Sequence, residues 1–252
     1  VHSPSDHGTS FCSRVYAQLM ARFDSAGALR CLMDATDSDF YVFGGTIRRT
    51  ILSDYRSGDL DIMVPNGDQR AFIALDTLGV PWKENSQGHR RYRWNTLQLD
   101  IFSPKDFYEG FDSVDEALRF FDLEINAVAV HLKSHSVRNP FGVSLDKNSH
   151  KLKVNWDRWL HRTMTDVDIT ILAIRLARIM YEAPTLTLCG GDIDRIEAHI
   201  VTRISRVNWE RVCDRYPLGK DSFIQEFHAI ISGRVPKLIL PSMGNSIDHL
   251  RA

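Results

Sequence analysis

The stretch "FYVFGGTIRRTILSDYRSGDLDIMVP", Phe40 to Pro65, constrains the fold more than any other part of the chain. "FYVF" is a short β-type run, and the glycine pair Gly44-Gly45 stops it. Thr46 to Leu52 reads as a short helix, with Thr46 placed to cap it. "SDYRSG" reads as a turn, and "DLDIMV" as a second strand. A strand that ends in glycines and opens into a helix presents backbone N–H groups to an anion, and glycine lets a phosphate come close. Thr46 can add a hydroxyl and Arg48 a positive charge.

The two aspartates of the second strand carry the other half of the reading. Side chains alternate across a strand, so Asp59 and Asp61 share one face while Leu60, Ile62 and Val64 share the other. Carboxylates held that close repel unless a cation lies between them. Magnesium suits such a pair, with manganese as the alternative, because it keeps several positions for water and phosphate. Asp100 follows "LQL" in a run that reads as a neighbouring strand. As a third carboxylate it completes a two-metal clamp for phosphoryl or nucleotidyl transfer; as a strand-end acid it makes a salt bridge. Both readings are open at this stage.

The remainder of the chain divides in two. Phe11, Val15, Leu19 and Phe23 predict an amphipathic first helix, Arg70 to Leu78 a second, and Val114 to Phe121 a third. "RYRWNTLQLDIF" alternates like a strand up to Pro104, "INAVAVHL" reads as a strand, and "NPFG" breaks the chain. From Asp166 helical spacing takes over, in "DITILAIRLARIM", "DIDRIEAHIVTRI" and "SFIQEFHAII". The expected architecture is α+β: a head with a mixed sheet over residues 1–152, then a small helical unit over 153–252.

Charge and cysteines narrow the function classes. A formal net charge of −1 means that any contact with nucleic acid comes from local patches. "GHRRYRW" is one such patch, with Arg90, Arg91 and Arg93 beside Tyr92 and Trp94, a set suited to phosphates and stacked bases. The same residues also suit a solvated strand with two packing aromatics. Cys12, Cys31, Cys189 and Cys213 are too scattered for structural zinc and read as buried reduced thiols. No apolar run is long enough to span a bilayer, and the polar start lacks a signal-peptide core, so the expected location is cytoplasmic. "CGGDIDRIEAHI" repeats the glycine pair and the D-x-D, but Asp192 and Asp194 follow the glycines with no room for an intervening helix. Asp192 is therefore expected to cap a helix, not to hold metal.

Taken in order, these segments resemble the head domain of bacterial-type poly(A) polymerases and CCA-adding tRNA nucleotidyltransferases, in the DNA polymerase β superfamily. The family pattern G-G-x-x-R-D, then D-x-D, stands here as Gly44-Gly45-Thr46-Ile47-Arg48-Arg49 and Asp59-Leu60-Asp61. "FFDLEINAVAV" looks like R-R-D-F-T-I-N-A-L-A-Y, retaining Asp122, Ile125, Asn126 and Ala127. "NPFG" looks like D-P-F-G, and "TDVDITILAIRLARI" looks like the neck helix E-D-P-L-R-x-L-R-A-I-R-F. The resemblance implies magnesium on Asp59, Asp61 and Asp100. It implies a triphosphate against Gly44, Gly45, Thr46 and Arg48, with Asp122 and Asn126 at sugar or phosphate and Asp166 near the base. It further implies a nucleoside triphosphate donor and an RNA 3′ end, such as that of tRNA, as acceptor.

The chain departs from the pattern at chosen places. Arg49 replaces an acid, and Phe120-Phe121 replace an arginine pair. Thr165 and Ile169 replace the glutamate and arginine that in the family read the incoming base, so an ordered C-C-A addition is not expected. Two other functions stay open: transfer to a protein or small molecule, as in toxin- or defence-type relatives, and a catalytically silent module that binds RNA or a protein partner.

Overall fold

In the computed structural model the described residues are 6–23, 28–35, 38–52, 59–65, 69–84, 89–94, 97–107, 110–145, 151–159, 163–183, 186–199 and 225. The chain divides into two compact units, Val1–His150 and Lys151–Ala252. "SDYRSG", Ile200, Ile204, Cys213 and nearly all of "SFIQEFHAII" lie outside the described residues.

The first unit is built on a sheet of seven strands: β1 (Tyr41–Phe43), β2 (Asp59–Met63), β3 (Trp82–Glu84), β4 (Arg90–Trp94), β5 (Leu97–Phe102), β6 (Ala129–His131) and β7 (Val137–Arg138). Their order is β3-β4-β5-β2-β1-β6-β7. Only β2 and β5 run parallel, and the other neighbours are antiparallel. The helices of this unit are α1 (Asp6–Phe23), α2 (Ala28–Ala35), α3 (Gly45–Ile51), α4 (Gln69–Thr77) and α5 (Val114–Arg119).

Two faces of that sheet have different chemistry, and alternation makes them so. Val42, Leu60, Ile62, Tyr92, Leu99 and Val130 share one face through the strand registers, and all are buried. Phe72 of α4 stacks on Tyr92 from this side. The opposite face changes character along its length. At one end Tyr41, Phe43, Met63 and Ala129 pack with Val114, Ala117 and Leu118 of α5, and Phe102, Phe107, Phe111, Phe121 and Phe141 close around them. Towards the other end β2, β5 and β4 carry Asp59, Asp61, Gln98, Asp100, Arg91 and Arg93.

Several expectations change here. "RYRWNTLQLDIF" is not one strand: β4 and β5 pair antiparallel as a hairpin, Trp94 opposite Leu97. Alternation persists across such a turn, so periodicity alone did not reveal the break. "INAVAVHL" begins as a 3-10 turn, Glu124–Asn126, before β6. Cys12 is buried as expected, and burial pushes its thiol pKa up, which keeps it in the unreactive protonated form.

The second unit contains α6 (Asp166–Glu182), α7 (Gly190–His199) and a two-stranded parallel sheet of β8 (Lys151–Leu152) and β9 (Thr187–Leu188). Asp192 does not cap α7. It lies inside the first turn, buried, where Oδ2 accepts from the Val154 backbone N–H at 3.0 Å and Oδ1 from the Trp156 indole N–H at 2.7 Å. The carboxylate thus ties the helix start to the segment after β8. Replacing it with alanine leaves both donors without this acceptor, at about 1–3 kcal/mol for each if buried. Asp192→Ala is expected to lower the denaturant midpoint of the second unit, followed by Trp156 fluorescence. An unchanged midpoint would refute this structural role.

Candidate functional site

Gly44 is where the backbone and the aspartates meet. It precedes α3 with φ +69°, a left-handed conformation that glycine adopts without penalty. A Cβ at this position would stand 2.9 Å from Asp61 Oδ2. The glycine is therefore required twice, by the turn and by the carboxylate pressed against it. The Thr46 side chain does not cap α3. Its hydroxyl donates to the Asp59 carbonyl at 2.8 Å, which fastens the helix start to the D-x-D strand.

Arg48 points inward from α3 and is buried. Its Nη1 donates to Asn126 Oδ1 at 2.8 Å, spanning 78 residues of sequence. This bond brings the first and third family-like segments together, and Asp122, also buried, lies in the same stretch as Asn126. Phe121, standing where the family has an arginine, packs edge-on against Phe43 and Phe107. Phe43 is the register partner of Asp61. One flank of the aspartates is accordingly aromatic where the resemblance predicts cations.

The parallel β2–β5 register sets Asp61 beside Asp100. Asp100 is buried, and Arg91 of β4 holds both its oxygens: Nε to Oδ1 and Nη2 to Oδ2, each at 2.7 Å. The Arg91 pKa is raised by this hydrogen-bonded pair, with further help from the charges of Asp100 and Asp61. Of the two sequence readings of Asp100, the salt bridge is thus the arrangement present. No group of three His, Cys, Asp or Glu side chains among the described residues is arranged to hold a metal ion. The pair Asp59 and Asp61 nevertheless fits magnesium, being on one strand face against a glycine turn that leaves the carboxylate room.

The arginine patch is divided by the strand. Arg91 and Arg93 are on the aspartate face, while Arg90 is on the other, over the Trp82 ring at 4.4 Å and the Phe72 ring at 5.3 Å. Arg90 also pairs with Asp76 at 2.9 Å, and the Tyr92 hydroxyl donates to the same carboxylate at 3.0 Å. Tyr92 is a core residue. In the second unit Thr165 caps α6 through a capping box with Asp168, Ile169 is buried, and Asp166 is exposed in the first turn. Asp194 is exposed on α7. Sequence reasoning missed the pairing of Arg91 with Asp100. The signal for it was alternation: the parity that separates Asp59 and Asp61 from Leu60 also separates Arg91 from Arg90.

No family model matches the chain, and no curated protein does. Solved structures do match. The Thermotoga maritima CCA-adding enzyme complexed with tRNA(CCA) aligns with a TM-score of 0.59 and 19% identity, over 91% of this chain and 57% of that one. A CCA-adding enzyme in complex with CTP aligns at 0.58 and 17% identity, over 85% and 50%. A tRNA nucleotidyltransferase complexed with a primer tRNA and an incoming ATP analogue aligns at 0.55 and 18%, over 79% and 59%. The chain thus spans 50% to 59% of the length of these three. At such identities the likeness establishes the fold: an α+β nucleotidyltransferase head with a mixed sheet, followed by helices.

Proposed function

We propose that the protein is a magnesium-dependent nucleotidyltransferase that moves a nucleoside monophosphate from a nucleoside triphosphate to an RNA 3′ end. The observation that carries this reading is the close approach of Gly44 to Asp61, which sets a glycine turn at a helix start against a strand-face carboxylate pair. The fold neighbours, solved with CTP, an ATP analogue or tRNA, support it at the level of nucleotide and RNA.

In this proposal Asp59 and Asp61 hold the ion, and Asp100 joins them. When bound, magnesium (or manganese) neutralises phosphate charge and polarises the phosphorus–oxygen bond that breaks. The chain supplies the rest by positioning. Gly44, Gly45 and Thr46 line the triphosphate, and the Thr46–Asp59 bond keeps that turn in register with the carboxylates. Arg48 and Asn126, braced by each other, face the phosphate and sugar together with Asp122. The aromatic flank formed by Phe43 and Phe121 excludes water beside Asp61. Arg93, exposed on the aspartate face, contributes charge toward the RNA backbone.

Base choice is expected to be loose. Ile169 is buried and apolar, and Thr165 is engaged at the helix cap, so neither offers the donor and acceptor pair that reads a base edge. Losing one such contact typically reduces selectivity by about 1–3 kcal/mol. With RNA, all four nucleotides and Mg²⁺, sequenced 3′ ends should carry one repeated nucleotide or a loosely selected mixture. A terminating C-C-A would overturn this part of the proposal. Label appearing in protein or a small molecule instead of RNA would replace the acceptor, and label nowhere would indicate a silent module.

Two substitutions test the site itself. Asp59→Ala and Asp61→Ala should each lower turnover by several tenfold steps, each about 1.4 kcal/mol, without unfolding the head. Near-wild-type rates at saturating Mg²⁺ would remove the metal proposal. Gly44→Ala should do similar damage through Asp61. Its control is Gly142→Ala, where φ is +62° but nothing lies within 4 Å of a Cβ. Both variants carry the backbone penalty of an L-residue at positive φ, about 1–2 kcal/mol, and only the first is expected to abolish transfer. Equal activity in the two would sink the Gly44–Asp61 argument.

A further inference from the structure

Both oxygens of the buried Asp100 are occupied by one guanidinium, in the planar two-bond geometry that arginine makes with carboxylates. Asp61 stands next to Asp100 across the parallel strands, and its charge also acts on Arg91. Arg91 therefore neutralises the acidic face from within. A divalent ion recruiting Asp100 approaches the same oxygens, each of which already spends a lone pair on the guanidinium. The two like-charged cations therefore compete for the carboxylate.

We propose that Arg91 is a positioning residue that competes with divalent metal for Asp100, so that the nucleotide-free protein binds metal through Asp59 and Asp61 alone. The proposal rests on reading the aspartate face as a metal site. Asp100 becomes a ligand only when Arg91 lets go, and the guanidinium released on the same face is then turned toward phosphate charge. Metal affinity before nucleotide binds is in this way kept low, and the third carboxylate is withheld until a compensating anion arrives.

The test is Mn²⁺ binding to the full chain without nucleotide, read by the electron paramagnetic resonance of free Mn²⁺ and by the rise in melting temperature. Arg91→Gln is expected to tighten Mn²⁺ binding at least about tenfold, equivalent to ~1.4 kcal/mol, because the buried Asp100 and the half-buried Asp61 beside it have then lost their cation. Adding Asp100→Asn to Arg91→Gln should return the affinity to that of the wild type. An affinity unchanged or weakened by Arg91→Gln, or a gain that survives Asp100→Asn, would overturn the proposal. Asp61→Asn separates the two levels. Mn²⁺ binding that ignores Asp61→Asn in every protein removes the metal site itself, whereas binding that needs Asp61 but is indifferent to Arg91 removes only this inference. Should Arg91→Gln fail to fold, Arg91→Lys keeps the charge and loses the two-bond geometry. An intermediate gain in affinity is expected from it, and no gain counts against the competition.

Discussion

The parallel pairing of β2 with β5 is the constraint on which the rest depends. A parallel register aligns side chains of the same parity, so Asp61 and Asp100 come to the same face at the same level. Two carboxylates partly withdrawn from water cannot stay adjacent without positive charge nearby. The β4–β5 hairpin answers this by setting Arg91 opposite Asp100. The D-x-D, the third acid and the arginine are one electrostatic unit, although they come from three strands.

That unit needs rigid walls, and hydrogen bonds across long stretches of chain supply them. Thr46 reaches the Asp59 carbonyl, Arg48 reaches Asn126, and Gly44 leaves the gap that Asp61 occupies. Two of these links join the start of α3 to β2, and the third joins α3 to the 3-10 turn Glu124–Asn126. Buried polar pairs of this kind are costly to break, since a lone buried partner keeps its desolvation penalty. The short α3, only seven residues, owes its place to these attachments and to Ile47 and Ile51 in the core more than to intrinsic helix propensity.

Much of this was legible in the sequence wherever a period or a breaker residue carried the information. "FYVF", "DLDIMV" and the helix near Arg70 to Leu78 appear close to where pattern placed them. Two of the failures share a physical cause. Thr46 and Asp192 were assigned to helix caps because both types favour caps, yet each found a long-range partner instead, the Asp59 carbonyl in one case and Val154 with Trp156 in the other. Local propensity cannot anticipate a partner brought in by tertiary structure. The β4–β5 turn was hidden for a different reason, because residues on both sides of a hairpin keep the same alternation.

The departures from the family pattern become coherent once the packing is considered. Phe121 would be an unexplained loss if the arginine it replaces acted alone, but it meets Phe43, Phe102 belongs to the same cluster, and α5 packs over both. An arginine at 121 would bring a charge into that aromatic wall, next to the strand that carries Asp61. On the acidic face, positive charge comes from β4, where Arg91 pairs with Asp100. Compared with the pattern it resembles, the chain has an aromatic cluster in the segment before Asp122 and its arginines on the hairpin strand. Under the proposed function, charge would reach phosphate from the hairpin strand rather than from the segment before Asp122. It is therefore at the hairpin, not at the segment before Asp122, that substitutions should alter how the protein handles metal and nucleotide.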